Sequence, residues 1–436
     1  MTIKIFIGPC EIAGYYKNLQ KGFIQLGLNA DYFTYFNSPF GYSNNIKLPF
    51  LLKIVHFFNN HKRTSGNIII KILLTLPAEV FSFIWGFYAI FKYDVFIFGF
   101  GVSLLRFNID LYILKLLGKK VISNIAHGSE ARPAYINGAN QNKVTSKLPN
   151  LNKLLKLIKT SKNLVSRHEK LATFIIGAPF STSHFSSQKF INSFMIGIPS
   201  LECNFKNFES ERIIKKSIRI LHSPSHSIAK GTPEIKNAIL NLQKKGYLIE
   251  FVLIKDMPNK KVIEEIKKCD FVIDQIYSDT PLAGFAAEAA FYGKPSVVGG
   301  YGFEYLKNFI PNDMFPPSKI CHPDKIENAI ESLIINNQER LLLGKAAQNF
   351  VLTKWNSLEV AKRYLRIIEN DIPENWWLHP NEVIYIEGAG QSLNVTKNNI
   401  KNILKKKGIN GLKLGNHKKR EEAFLSFYMK NSMNIL

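Results

Sequence analysis

Short apolar runs alternate with amphipathic stretches along this chain, and the alternation starts twice. The first series opens at residues 4–8, KIFIG. It continues through a helical stretch around 17–26, strands at 94–101 and 120–126, helical stretches at 111–117 and 151–159, and residues 187–190. A polar, charged stretch at 202–217 interrupts it. Strands are then expected at 217–222, 249–255, 271–274 and 296–298, and helices at 234–244, 262–268, 325–335 and 338–355. Strands separated by helices pair in parallel, with helices covering both faces. A chain of 436 residues is too long for one core. The expectation is therefore an α/β protein of two Rossmann-like domains with a cleft between them. The domains run 1–210 and 211–365, followed by a basic extension at 366–436. In open α/β sheets, ligands bind beyond the carboxyl ends of the strands.

Three motifs sit at such ends. After the strand CDFVID comes a small-residue turn, then a helix that begins near Gly284 and stops at Gly293, before Pro295. Gly284 lets backbone come close to a ligand, and the first free N–H groups of the helix suit a phosphate. Glu288, one turn further in, is placed to accept hydrogen bonds from sugar hydroxyls. The second motif, HSPSHSIAKGTPEI at 222–235, puts Lys230, Gly231 and Thr232 just before a helix. A lysine there is a point-charge partner for a diphosphate, or a solvated helix-start side chain. The third, HGSEARP at 127–133, gathers His127, Glu130 and Arg132 at a strand end. His127 reads as a reaction-centre group or as a buried histidine capping the strand. Arg132 reads as an anion contact or as the partner of Glu130. A weaker signal is Gly14 in the first loop, explained equally by turn geometry.

Together the residues Asp274, Gln275, Gly284, Glu288, Ala289, Gly293, Lys294 and Pro295 resemble the donor-site signature of GT-B glycosyltransferases close to glycosyltransferase family 4. Many of those enzymes carry Glu-x7-Glu; here the first position is Thr280. The Lys-Gly pair and the His-Gly-Ser-acid-x-Arg run resemble the same group, in order as well as content, over residues 90–135 and 215–365. An arginine common five residues before the lysine is Ser225 here. The resemblance implies a GT-B fold whose last helix, in the 366–436 segment, crosses back onto the first domain, and transfer of a sugar from a nucleotide-sugar donor, with retention of configuration. It implies a donor site of Gly14, Ser225, Lys230, Gly231, Thr232, Asp274, Gly284, Phe285 and Glu288, and a catalytic group of His127, Glu130 and Arg132. No metal and no cofactor beyond the donor substrate is expected. The acceptor is expected to be a glycan or lipid-linked intermediate of cell-surface polysaccharide synthesis. Two other readings are a GT-B epimerase using Glu130 and Asp274, and a non-catalytic GT-B subunit, suggested by Thr280 and Ser225.

Charge is strongly unbalanced, with 57 Lys and Arg against 33 Asp and Glu, a net +24. Such a surface attracts nucleic acid, anionic membrane or phosphate-bearing substrates, or reflects a Lys/Asn/Ile coding bias. With no base-reading motif, nucleic acid is not expected. The scattered Cys10, Cys203, Cys269 and Cys321 suggest free thiols in a reducing compartment. MTIKIFIG reads as a strand, not a secretory signal. The expected location is therefore cytoplasmic, peripheral at the inner face of the plasma membrane. Residues 72–91 are mostly apolar and long enough to cross a bilayer, but Pro77 and Glu79 lie inside. They are expected as a core helix, with a membrane-resting helix as the next reading and a true span last. The basic run at 397–420 reads as lipid-facing, nucleic-acid-binding or a solvated helix face.

Overall fold

The computed structural model describes residues 3–38, 40–42, 47–143, 145–200, 217–415 and 417–429. The expected joint at 202–217 and Cys203 fall outside these residues, save Ser217.

The first sheet is built from β1 (Lys4–Ile7), β2 (Asn29–Tyr32), β3 (Val95–Gly99), β4 (Lys120–Asn124), β5 (Phe174–Gly177) and β6 (Phe190–Asn192). Its helices are α1 (Tyr15–Gln25), α2 (Phe50–Thr64), α3 (Ile68–Lys92), α4 (Asp110–Leu116), α5 (Leu151–Leu171) and α6 (Ser193–Ile196). The second sheet is built from β7 (Ile218–His222), β8 (Ile249–Leu253), β9 (Phe271–Gln275), β10 (Ser296–Gly299) and β11 (Lys319–Cys321). Around it lie α7 (Thr232–Lys244), α8 (Asn259–Lys268), α9 (Gly284–Phe291), α10 (Phe303–Leu306), α11 (Ile326–Ile335) and α12 (Asn337–Thr353). The chain then returns through α13 (Ser357–Ile368), β12 (Trp377–Leu378), α14 (Leu393–Lys407) and α15 (Lys418–Met429).

The sheet orders are β12-β6-β5-β4-β3-β1-β2 and β11-β10-β9-β7-β8. All pairings are parallel except β12 on β6. Both sheets are doubly wound, so each reverses its strand order once, between β1 and β3 and between β7 and β9. Loops diverge at such points and leave a crevice. The central strands β3 and β10 are buried at every position, as strands covered on both faces must be. Two Rossmann-like domains facing across a cleft form the GT-B arrangement.

Two expectations change. First, α3 is not a core helix. Only Ala78, Trp85, Gly86, Ala89 and Ile90 of its 25 residues are buried. One narrow stripe packs inward beneath β3, and the rest of the apolar surface faces out. Second, the C-terminal extension is not simply additional surface. β12 adds an edge to the first sheet, and α14 buries Thr396, Asn399, Ile400 and Ile403. Arg420 of α15 is buried and donates to the carbonyls of Ser183 (2.9 Å), Pro380 (2.6 Å) and Val383 (2.6 Å), while Phe424 meets Tyr135 edge-on. The basic run therefore keeps one face in the core of the first domain.

Candidate functional site

The carboxyl ends of the two sheets converge on two adjoining cavities of about 180 and 200 Å³. Ala13, Ile198 and Gly284 line both, so they form one continuous cleft. It is narrow at the junction: a Cβ on Gly284 would sit 3.2 Å from the Cβ of Ala13. The loop after β1 reaches this wall through a left-handed turn at Gly14 (φ 81°), which then starts α1.

Glu288 lines the first cavity, with Lys17, Lys21, Tyr42, Asn259 and Gly14 opposite or beside it. Tyr42 Oη and Asn259 Nδ2 both donate to its Oε1, at 3.0 and 2.7 Å. Burial nevertheless dominates and pushes the carboxyl up to about 7. The helix α9 begins at Gly284, at the junction, with its first N–H groups outside the intrahelical ladder. Tyr42 comes from the loop before α2 and Asn259 from the first turn of α8, and no spacing announces them.

His127 lines the second cavity with Asn124, Ser193, Asp279 and Thr280. Its Nε2 lies 2.7 Å from the Tyr16 hydroxyl. Gly99, ending β3, leaves the space Tyr16 occupies; a Cβ there would collide with the phenol. Burial holds the imidazole down at about 4, so it is neutral above pH 5. Glu130 Oε1 accepts the backbone N–H of His127 (2.8 Å) and fixes the turn that presents it. Burial also raises Glu130 to about 7, and its Oε2 has no hydrogen-bond partner among the described residues.

Arg132 pairs with neither a cavity nor Glu130. It is buried and forms an ion pair with Asp279 of the second domain, with Asn137 Oδ1 3.4 Å from Nη1. The pair ties the domains together beside the second cavity, which Asp279 also lines. Asp279 carried no sequence signal beyond its place in the turn before Gly284.

The remaining donor-site residues fall outside the two cavity linings. Lys230 and Asp274 meet at the β7/β9 switch point, Nζ to Oδ1 3.3 Å, and Asp274 Oδ2 is left without a partner among the described residues. Thr232 opens α7 behind Gly231, but its Oγ1 is 2.9 Å from His222 Nε2 and serves that buried histidine. Ser225 is exposed, its carbonyl 3.5 Å from Lys143 Nζ. Phe285 packs beside the cluster of Val262, Ile266 and Cys269. Among the described residues no group of three His, Cys, Asp or Glu side chains is set to hold a metal.

No family model matches the chain, and no curated protein matches it. Solved structures do. The chain is similar to the MnaA protein of S. aureus in a structure with UDP, at 12% identity over 85% of this chain and 97% of that one, with a TM-score of 0.45. It is similar to Anabaena HepE in complex with UDP-glucose, at 10% identity over 85% and 100%, with a TM-score of 0.46. It is also similar to the spinosyn forosaminyltransferase SpnP, at 9% identity over 85% and 100%, with a TM-score of 0.42.

Proposed function

We propose that the protein transfers a sugar from a nucleotide-sugar donor to a glycan or lipid-linked acceptor, with retention, in cell-surface polysaccharide assembly at the cytoplasmic face of the membrane. The observation that carries the transferase reading is the continuity of the cleft. A buried carboxylate, a helix N-terminus and a neutral histidine follow one another along it. In this reading the donor's ribose exchanges for Tyr42 at Glu288, and its hydroxyls donate to the carboxylate. The diphosphate sits at the start of α9, where oriented N–H groups stabilise the charge that develops as it leaves. Lys230, now held by Asp274, adds a positive charge at the neighbouring switch point. The sugar then lies toward His127.

This arrangement neutralises the leaving group without a metal, so turnover is expected to survive EDTA. The pathway and location rest on the family resemblance and the charge of +24; Cys10, Cys269 and Cys321 are free thiols, consistent with a reducing compartment. The epimerase reading is weaker, because neither Glu130 nor Asp274 lines the two cavities. The test is a thermal-shift panel of UDP-, GDP-, ADP- and CMP-sugars. A ligand at a hundred times its dissociation constant stabilises by about 2.7 kcal/mol, which one base in the panel should deliver. A panel with no shift from any donor would overturn the proposal.

A further inference from the structure

The helix α3 is apolar on two sides, and only one of them is used by the fold. Its inner stripe, Ala78, Trp85, Gly86, Ala89 and Ile90, is buried. Its outer stripe, Leu73, Leu76, Val80, Phe83 and Phe87, repeats at three- and four-residue spacing, as one helix face must. These side chains are open to solvent, Leu73 and Leu76 at 67% and 70%. The surface continues onto the loop before α4, where Phe107 and Ile109 are 70% and 47% exposed. Phe107 has φ 61°, a conformation that costs a bulky residue, and its ring stays exposed. Between α3 and this loop lies a largely apolar cavity of about 680 Å³, walled by Phe83, Ile84 and Leu104. Exposed apolar surface of this extent marks an interaction site.

We propose that this face docks into the interface of an anionic lipid bilayer, with α3 lying in the membrane plane. Charge complementarity selects this occupant. Residues 50–120 carry nine Lys and Arg, and their only carboxylates are Glu79, Asp94 and Asp110. Asp110 is buried and accepts the N–H groups of Leu104 and Leu105, and Glu79 lies 3.8 Å from Arg106. Of the nine, Lys92 pairs with Asp31, Lys119 with Asp94 and Arg106 with Glu79, and Arg63, Lys115 and Lys120 donate to backbone carbonyls. That leaves Lys53 and Lys62 of α2 and Lys71 of α3 as the cations that anionic lipid would satisfy and that a second copy of the same chain would repel. The topology excludes a crossing by α3 within this fold. α3 ends at Lys92 and β3 starts at Val95, hydrogen-bonded between β1 and β4. α2 packs along α3 from the other end. Both ends stay on one side, and spanning would pull β3 out of the sheet. The cavity beside α3 is shaped to take an acyl chain from the same leaflet. The inference stands whether or not the cleft transfers a sugar.

The test uses the full chain and two kinds of vesicle: phosphatidylcholine alone, and equal parts phosphatidylcholine and phosphatidylglycerol. Sedimentation should show at least about tenfold stronger binding to the anionic vesicles, reduced by salt. The variant Leu73→Gln/Leu76→Gln/Phe83→Gln should lose at least about tenfold of that binding, with unchanged circular dichroism. Separately, Phe83→Trp fluorescence should be quenched more by bromines near the top of the acyl chains than by bromines at the bilayer midplane. Equal binding to both vesicles, unchanged binding of the triple variant, or strongest quenching at the midplane would each overturn the proposal. So would self-association that the triple variant abolishes, in a protein that binds neither vesicle.

Discussion

The cleft and the outer face of α3 depart from the rules of a folded protein in opposite directions. In the cleft and its wall, groups that prefer water are buried: Glu288 and Glu130 are pushed up to about 7, and His127 down to about 4. On α3, groups that avoid water stay in it. Burying them would stabilise by roughly 25 cal/mol per Å². Neither arrangement helps the isolated chain. A buried polar group and an exposed apolar patch are the two observations that carry information about a protein's surroundings. The difference also indicates the kind of visitor: the cleft suits a polar ligand with hydroxyls and phosphate, and α3 suits hydrocarbon.

Substitutions should separate the two regions, and the largest effect belongs to the cleft. Arg132→Met leaves Asp279 unpaired at the domain junction. Breaking a buried pair from one side costs about 3 kcal/mol, measurable by denaturant unfolding. A loss under about 0.5 kcal/mol would mean the ion pair does not hold the domains. Lys230→Ala should weaken a nucleoside diphosphate about tenfold while sparing the nucleoside, because only the diphosphate needs the charge. Equal losses for both ligands in calorimetry would make Lys230 structural.

The pH effect is smaller. Glu288 is raised, so its contribution to stability is present below the ordinary carboxyl range and is lost as pH climbs through about 7. Binding runs the other way, since hydroxyl donors need the ionised form. Donor affinity should improve about fivefold from pH 6 to pH 7, and His127, held neutral, should not bend the curve there. A flat profile would show that Glu288 does not meet the ligand as a carboxylate. The smallest effect is expected outside: Leu73→Gln with Leu76→Gln should change stability by under about 0.5 kcal/mol. A larger loss would mean these side chains pack against something and that α3 is a core helix after all.

The strands β1, β3, β4, β7, β8, β9 and β10 and the start of α9 at Gly284 were legible because periodicity and glycine placement are local signals; β2, β5, β11 and β12, of two to four residues each, were not, because so short a run shows no period. α3 was misread because an apolar run has the same pattern whether a neighbour or a membrane covers it; only the spatial position of β3 reveals the uncovered side. The partners of Glu288 were invisible for another reason. Tyr42 approaches from a loop and Asn259 from the start of α8, 246 and 29 residues away, and distance in sequence carries no trace of such contacts. Arg420 sits among lysines in HKKR, so composition gave no hint that this one charge is buried. The His127–Glu130–Arg132 run was read as one group, yet the structure divides it: His127 faces the cleft, Glu130 braces its turn, and Arg132 joins the domains.

The claim that the cleft is a nucleotide-sugar site rests most heavily on Glu288. Calorimetry of wild type and Glu288→Gln, with the donor selected by the thermal-shift panel, addresses it directly. A hydrogen bond to a charged group contributes about 1.5–3 kcal/mol, so the variant should bind roughly ten- to a hundredfold more weakly, with unchanged circular dichroism. Wild-type affinity in Glu288→Gln would contradict the account.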